Sequence, residues 1–329
     1  MSIVGTMQDG EIGYWFERLL PAAGLRLTAV VVLAWILMVA MFTTLFGALG
    51  ASLTVRSWSA VGTSLFFASA TLYVIVAGAL VLRRCATLLS ELPLACDADT
   101  RAALQSGALT QPQIAAWINL AVGITGGTVH NTLLWGLNVV DAWTTAAVLG
   151  TYLAWITISA VVGALVMRAV RFAQIARSQL EIDIYQPQRL YPMGHVALLP
   201  ALGLLGSQTL YPLMWIGGEV NLVANLPGSV ITGTAMVFLF FWPVWPVHQR
   251  LRAAKEAELL ALSARLDQLD RSSQAVEFNA LLTQREHVEN TSEWPFRLGT
   301  LAKWLLYLLI PPLTWVGAAL IEQVVDGAL

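Results

Sequence analysis

The sequence predicts an all-α polytopic membrane protein: seven transmembrane helices, N-terminus inside, C-terminus outside, and a cytoplasmic helical hairpin as anchor. Two observations carry the class and a third carries the topology. Of 329 residues, 57% are hydrophobic types and only 12% are Asp, Glu, Lys or Arg, whereas soluble domains average about 45–50% apolar and about 25% charged. Mean hydropathy is +0.69, and the apolar residues gather into runs of the roughly 20 residues that a bilayer demands. The basic residues fall almost wholly to one side of those runs, as cytoplasmic loops require.

Six runs are unambiguous, at 27–49, 60–82, 143–167, 196–216, 229–245 and 301–321. A seventh, 114–139, carries Asn119, Thr125, Thr128, His130, Asn131, Thr132 and Asn138 with glycines at 123, 126 and 127. Charge decides its reading. With seven spans, Arg56 alone of the 18 Lys and Arg lies outside; without the third span they divide 5 and 13. The positive-inside rule therefore selects seven. Tryptophans at 58, 143, 242, 245 and 304 fall near span ends, where an aromatic belt belongs. The first 26 residues hold Asp9, Glu11 and Glu17 and no short apolar core before a small-residue cleavage site, so no signal peptide is expected.

The outer loops are short, and the bulk outside the membrane is cytoplasmic: 83–113, 168–195 and 246–300. The fourth span is expected to continue inward as a helix through Ile184, until Gln186-Pro187 and Tyr191-Pro192 end it. The sixth is expected to run on likewise into a hairpin over 250–293. There Leu259, Leu262, Leu266 and Leu269 form an apolar seam continued by Val276. Asp270 to Ser273 supplies the turn, and a second helix over 274–289 brings Phe278, Leu281, Leu282 and Val288 to one side. Two heptads are too few for a self-sufficient coiled coil. The seam must bury either on the other inner loops or on another subunit, in which case those four leucines are oligomerisation residues. No repeat or linker divides the chain, which reads as one integral membrane unit over 1–329.

No nucleophile, phosphate-loop or metalloprotease motif is present, so an enzyme is not expected and no cofactor is implied. Cys85 and Cys96 lack metal-ligand spacing, and no metal site is predicted. A net charge of −2 offers no surface for nucleic acid. His195, His248 and His287 fall at span ends or in the hairpin, as interfacial or solvated side chains. Asn119, His130 and Asn131 are intramembrane polar groups that must bond within protein or face water. Either they make interhelical hydrogen bonds beside the close-packing glycines 123 and 127, or they line a carrier's path. No formal charge sits mid-span, which argues against ion-coupled pumping. Asn290-Thr291-Ser292 matches the glycosylation pattern by chance, on the cytoplasmic side.

The final span has a patterned face. Tyr307, Pro311, Thr314, Ala318 and Glu322 recur at spacings that confine them to a sector of about 80°. In a ring of copies, Tyr307, Thr314 and Ala318 would line a passage and Glu322 would form an acidic outer ring favouring cations.

Seven spans, minimal outer loops, inward extensions of spans four and six, and a last segment split into a cytoplasmic helix and a membrane helix together resemble insect odorant and gustatory receptors and their wider seven-transmembrane channel relatives. The resemblance is one of layout. The family's terminal signature, a Thr-Tyr pair followed by Gln-Phe, is replaced here by Trp304, Tyr307 and Gln323-Val324. It implies four subunits on a shared cytoplasmic anchor, a cation pore lined by the last helix, and a chemoreceptor-like response to a small ligand. The expected function is thus an oligomeric, cation-permeable channel in a plasma or bacterial inner membrane, with other copies of itself, the lipid bilayer and a small ligand as partners. The alternatives are a non-conducting scaffold or sensor acting through its hairpin, and a small-molecule carrier. A reporter fused after Leu329 is expected to score as external; a cytosolic signal would invert every loop after the third span.

Overall fold

An apolar run in lipid must satisfy its own N–H and C=O groups, and the α-helix is the local way to do so. The computed structural model describes residues 11–21, 24–46, 55–107, 110–135, 141–216, 222–269, 275–296, 298–317 and 320. Their order is β1 (Glu11–Gly13), α1 (Trp15–Leu19), α2 (Leu25–Leu45), α3 (Val55–Glu91), α4 (Ala98–Ser106), β2 (Thr110–Pro112), α5 (Gln113–Trp135) and α6 (Ala142–Ser178). Then come α7 (Tyr191–Gln208), α8 (Leu222–Phe241), α9 (Trp245–Gln268), α10 (Ala275–Asn290) and α11 (Leu298–Leu308). Five segments are long and apolar enough to cross a bilayer: Leu25–Leu45, Trp58–Glu91, Ala142–Ser178, Pro187–Trp215 and Gly228–Gln268. The protein is an all-α, multi-pass membrane protein.

The two remaining expected spans fall short of that standard for different reasons. α5 has 23 residues but too many Asn, Thr and His side chains to match the others in hydropathy. In the last run, apolar helix is described over Leu305–Gly317, with a turn at Leu309 ahead of Pro311 and Pro312, which have no N–H to give the ladder, and residues 318, 319 and 321 lie outside the described residues.

Two helix ends differ from expectation. α6 stops at Ser178 instead of reaching Ile184, because the backbone beyond it is claimed by the loop after α3. Ala95 N donates to Gln179 O at 2.7 Å and Glu181 N to Pro93 O at 2.8 Å, flanking a Leu94–Leu180 bridge. The run from span six into the hairpin is also interrupted, by a turn at 242–244. Pro243 lies in that turn and Pro246 opens α9, so the junction is a proline kink. The second hairpin helix lies within a residue of expectation, and the expected turn over 270–273 lies outside the described residues.

The largest core gathers at the end where α9 and α10 pack. Tyr14 and Phe16, each 1% exposed, sink among Leu82, Leu88, Phe172, Met193, Val247, Leu262 and Val288. The N-terminal segment, to which the sequence assigned no structure, is thereby part of the core, and β1 pairs antiparallel with β2. The opposite end is closed by aromatic packing, with Phe42 and Phe46 both stacked on Phe67 at 5.6 and 6.4 Å. α2 turns Val32, Leu33, Ile36 and Leu37 outward, as a lipid-facing helix does.

Most of the hairpin seam is spent inside the chain, and Val276 is left exposed. Leu262 and Leu266 are buried, and Leu259 and Leu281 pack against the same core. Of the four seam leucines, Leu259, Leu262 and Leu266 meet their own chain, and Leu269 is half-buried at the end of α9.

Basic side chains fasten the inner segments by donating to backbone carbonyls. Arg83 reaches Pro21 O at 2.6 Å, Leu20 O at 2.7 Å and Glu17 O at 3.0 Å, and pairs with Glu17 Oε1 at 2.9 Å. Arg171 holds Gly107 O and Thr110 O. Arg250 bonds Ala176 O at 2.7 Å, and Lys255 bonds Glu289 O and Thr291 O at 2.7 and 3.1 Å. Ala176, Glu289 and Thr291 lie where α6 and α10 run out of intrahelical donors. Replacing Arg83→Gln is expected to cost about 2 kcal/mol, in the range for hydrogen bonds to a charged group, read as a lowered unfolding midpoint in detergent. An unchanged midpoint would mean that the N-terminal segment is held by Tyr14 and Phe16 alone.

Candidate functional site

The polar residues of α5 meet α6 along one antiparallel seam. Ser159 Oγ donates to Asn119 O at 2.8 Å, Thr128 Oγ1 and Tyr152 Oη are 2.9 Å apart, and Asn131 Nδ2 donates to Val148 O at 3.4 Å. A rising α5 number therefore meets a falling α6 number. The seam is close because glycines form it. A Cβ on Gly123 would come within 2.7 Å of Ile156 Cα, and one on Gly127 within 2.6 Å of Tyr152 Cδ1. From the other side, Gly163 receives the Asn119 side chain. Small residues let the backbones approach until side chains reach carbonyls on the facing helix.

This is the packing reading of Asn119, His130 and Asn131, with two groups left over. His130 lies edge-on to Trp155 at 6.0 Å. Its Nδ1 and the Oδ1 of Asn131, which is 0% exposed, have no partner among the described residues. Thr128 and Thr132 satisfy themselves by returning hydrogen bonds to their own helix at 2.9 and 2.7 Å.

At the inner end of the seam lies a cavity of about 270 Å³, bounded by Ile12, Trp15, Phe16, Gln111, Gln113, Ala116, Trp117, Asn119, Leu120, Ile156 and Ala160. No residue bearing a formal charge is among these. Gln111 is 5% exposed and its Oε1 lacks a partner among the described residues, leaving an acceptor without a donor. Two indoles, one phenyl ring and three amides therefore suit a neutral molecule with a flat apolar body and an O–H or N–H. Asn119 is the one residue here that the sequence singled out. The N-terminal contribution was missed, although the Tyr14-Trp15-Phe16 triplet beside Glu17 and Arg18 has the make-up of an interfacial anchor.

The final segment is arranged differently from a free pore helix. Pro311 is buried, and Thr314 is half-buried with its hydroxyl bonded to Pro311 O at 2.7 Å. Tyr307 is 40% exposed, but the row open to the surroundings is Leu306, Leu309, Leu313, Val316 and Leu320. Trp315 ties the segment to the end of α7 through Gln208 O at 2.9 Å and lies edge-on to Tyr211 and Trp215. Ala318 and Glu322 lie outside the described residues. Of the other histidines, His195 and His287 are exposed. His248 stacks on Trp294 at 4.1 Å and contacts Glu293 O at 3.0 Å, closing the return from the hairpin.

No family model, curated protein or solved structure matches this chain. The site has to be read from its own geometry.

Replacing Gly123→Val is expected to force α5 off α6 and cost at least the roughly 1–3 kcal/mol of an overpacked contact. Gly233, which has nothing within 4 Å, gives the control: Gly233→Ala should leave the midpoint unchanged or slightly raised. Equal effects at both positions would dissolve the seam.

Proposed function

We propose that this protein is a non-conducting membrane sensor or scaffold whose cytoplasmic platform is its output and whose Asn119 cavity is its input. One observation carries the reading: α6 runs unbroken from Ala142 to Ser178, and so belongs to both. Its outer and middle turns hold α5 through Ser159 and Gly163. Its last turn is held by Arg250 of α9 through Ala176 O. From Gly163 to Ala176 the rod is about 20 Å long at 1.5 Å per residue, with Leu165, Ala169 and Phe172 buried along it. A change in the α5–α6 seam has a stiff route to the hairpin.

The described parts of the platform also pack within one copy. α9 and α10 are joined to the segment after α6 by Tyr185, which donates to Glu258 Oε1 and accepts from Gln284 Nε2, both at 2.7 Å. Outside that contact, Leu260 at 73% and Val276 at 87% exposed give the hairpin a surface to present to a partner. Seven crossings with the N-terminus inside remain part of this reading. Their support is that β1, the 83–113 loop, the segment after α6 and the hairpin all meet at one end. α5 must then pass to the other end to meet Val148.

The pore reading is the rival, and its expected face is partly folded onto the chain while leucines face outward. Amide exchange separates the two. Wedging the seam with Gly163→Val is expected to raise exchange several-fold in α10, far from the substitution, and Arg250→Gln is expected to abolish that transmission. Purified protein in a planar bilayer is expected to pass no current. Unchanged α10 exchange in Gly163→Val would remove the sensor reading, and a steady unitary current would restore the pore.

A further inference from the structure

Arg168 sits in α6, 3% exposed, in the inner core, and its Nε and Nη2 have no hydrogen-bond partner among the described residues. Among the described residues, the titratable groups that bear on it are Tyr14, Arg171 and Cys85. None is a carboxylate, and one is a second guanidinium. Arg83, by contrast, has Glu17 at 2.9 Å. A guanidinium taken out of water stays charged, so burial without a counter-charge is a cost that packing does not remove.

Beside it lies a cavity of about 40 Å³, lined by Arg168 and Arg171 together with Leu89, Leu104, Phe172 and Gln174. That is space for about three waters, or for one tetrahedral oxyanion. Water would satisfy the unpartnered N–H groups of Arg168 but bring no negative charge to its guanidinium, whereas an oxyanion does both. The guanidinium fork also matches paired oxygens. Arg171 is positioned by its bonds to Gly107 O and Thr110 O, so one wall of the site is fixed before any ligand arrives. Arg168 lies one residue beyond the expected end of the fourth span, at the depth of inner-leaflet headgroups, where basic pockets collect phosphate. We infer that Arg168 and Arg171 form a binding site for a phosphate group, carried by a lipid headgroup or free in solution. This site is independent of the sensor reading.

Full-length protein in a non-ionic detergent and phosphate-free buffer tests it by thermal unfolding followed through tryptophan fluorescence. The additions are inorganic phosphate, phosphatidic acid and, as the phosphate-free lipid, diacylglycerol. Phosphatidic acid is expected to raise the midpoint by about 3 °C or more at saturation while diacylglycerol does not. A rise with inorganic phosphate alone assigns the solute as the source. Two variants guard the assignment. Arg168→Gln removes the buried charge, and Gln174→Glu, at an exposed rim position, sets a carboxylate at the mouth without disturbing the core. Both are expected to lose the shift, and Gln174→Glu decides alone if Arg168→Gln does not fold. The inference is overturned if neither form of phosphate moves the midpoint, if diacylglycerol moves it equally, or if Gln174→Glu keeps the full response.

Discussion

Backbone carbonyls at the helix ends where the arginines gather must find donors, and most of this architecture answers that demand. A helix leaves its last four carbonyls without intrahelical partners, and at the edge of a bilayer water serves only those that face it. Here Arg83, Arg250 and Lys255 supply donors to carbonyls at the ends of α1, α6 and α10. The same cations that orient a chain during insertion are reused as structural clamps. They differ from surface ion pairs such as Arg252–Glu256, which is solvent-exposed on both sides and contributes little. Joining charged donors to backbone acceptors lets segments far apart in sequence meet without needing a matched acid for every base.

The membrane half solves a related problem with the opposite resource. α5 brings Asn and Thr side chains to its contact with α6, and α6 meets them with glycine and serine. The satisfied groups are those that reach a carbonyl across the seam, such as Ser159 and Asn131, or within the same helix, such as Thr132. Hydrophobic attraction is weak between helices already in lipid, so close backbone approach and these few bonds hold the pair. The polar content that lowers the hydropathy of α5 is what joins it to its neighbour.

Much of this was legible in the sequence, because long apolar runs and charge asymmetry are summed signals that survive local exceptions. The positions of five long apolar helices, the second hairpin helix and the glycine seam of α5 followed from periodicity and composition. Three things did not. The end of α6 depends on the loop around Leu94 competing for its backbone, which is a tertiary contact. The N-terminal strand gains its partner from residues a hundred positions away, and three residues carry no usable alternation. The direction in which the last helix turns its Tyr307–Thr314 face depends on Trp315 finding Gln208, which spacing within that helix does not encode. The sequence lists Arg168 as one more arginine beyond a span end, and its burial, which comes from Tyr14 and Phe172 closing around it, is likewise a tertiary property.

The unbroken length of α6 has a mechanical side. Taking the contact at Gly163 as a fulcrum, an inner arm of about 20 Å moves its tip by roughly 3.5 Å for a tilt of about 10°. That displacement exceeds the 2.7 Å separation between Arg250 and Ala176 O. Modest leaning of the rod, of the size that a change in bilayer thickness imposes, therefore either drags α9 along or parts the two, and the joint behaves as a shear pin.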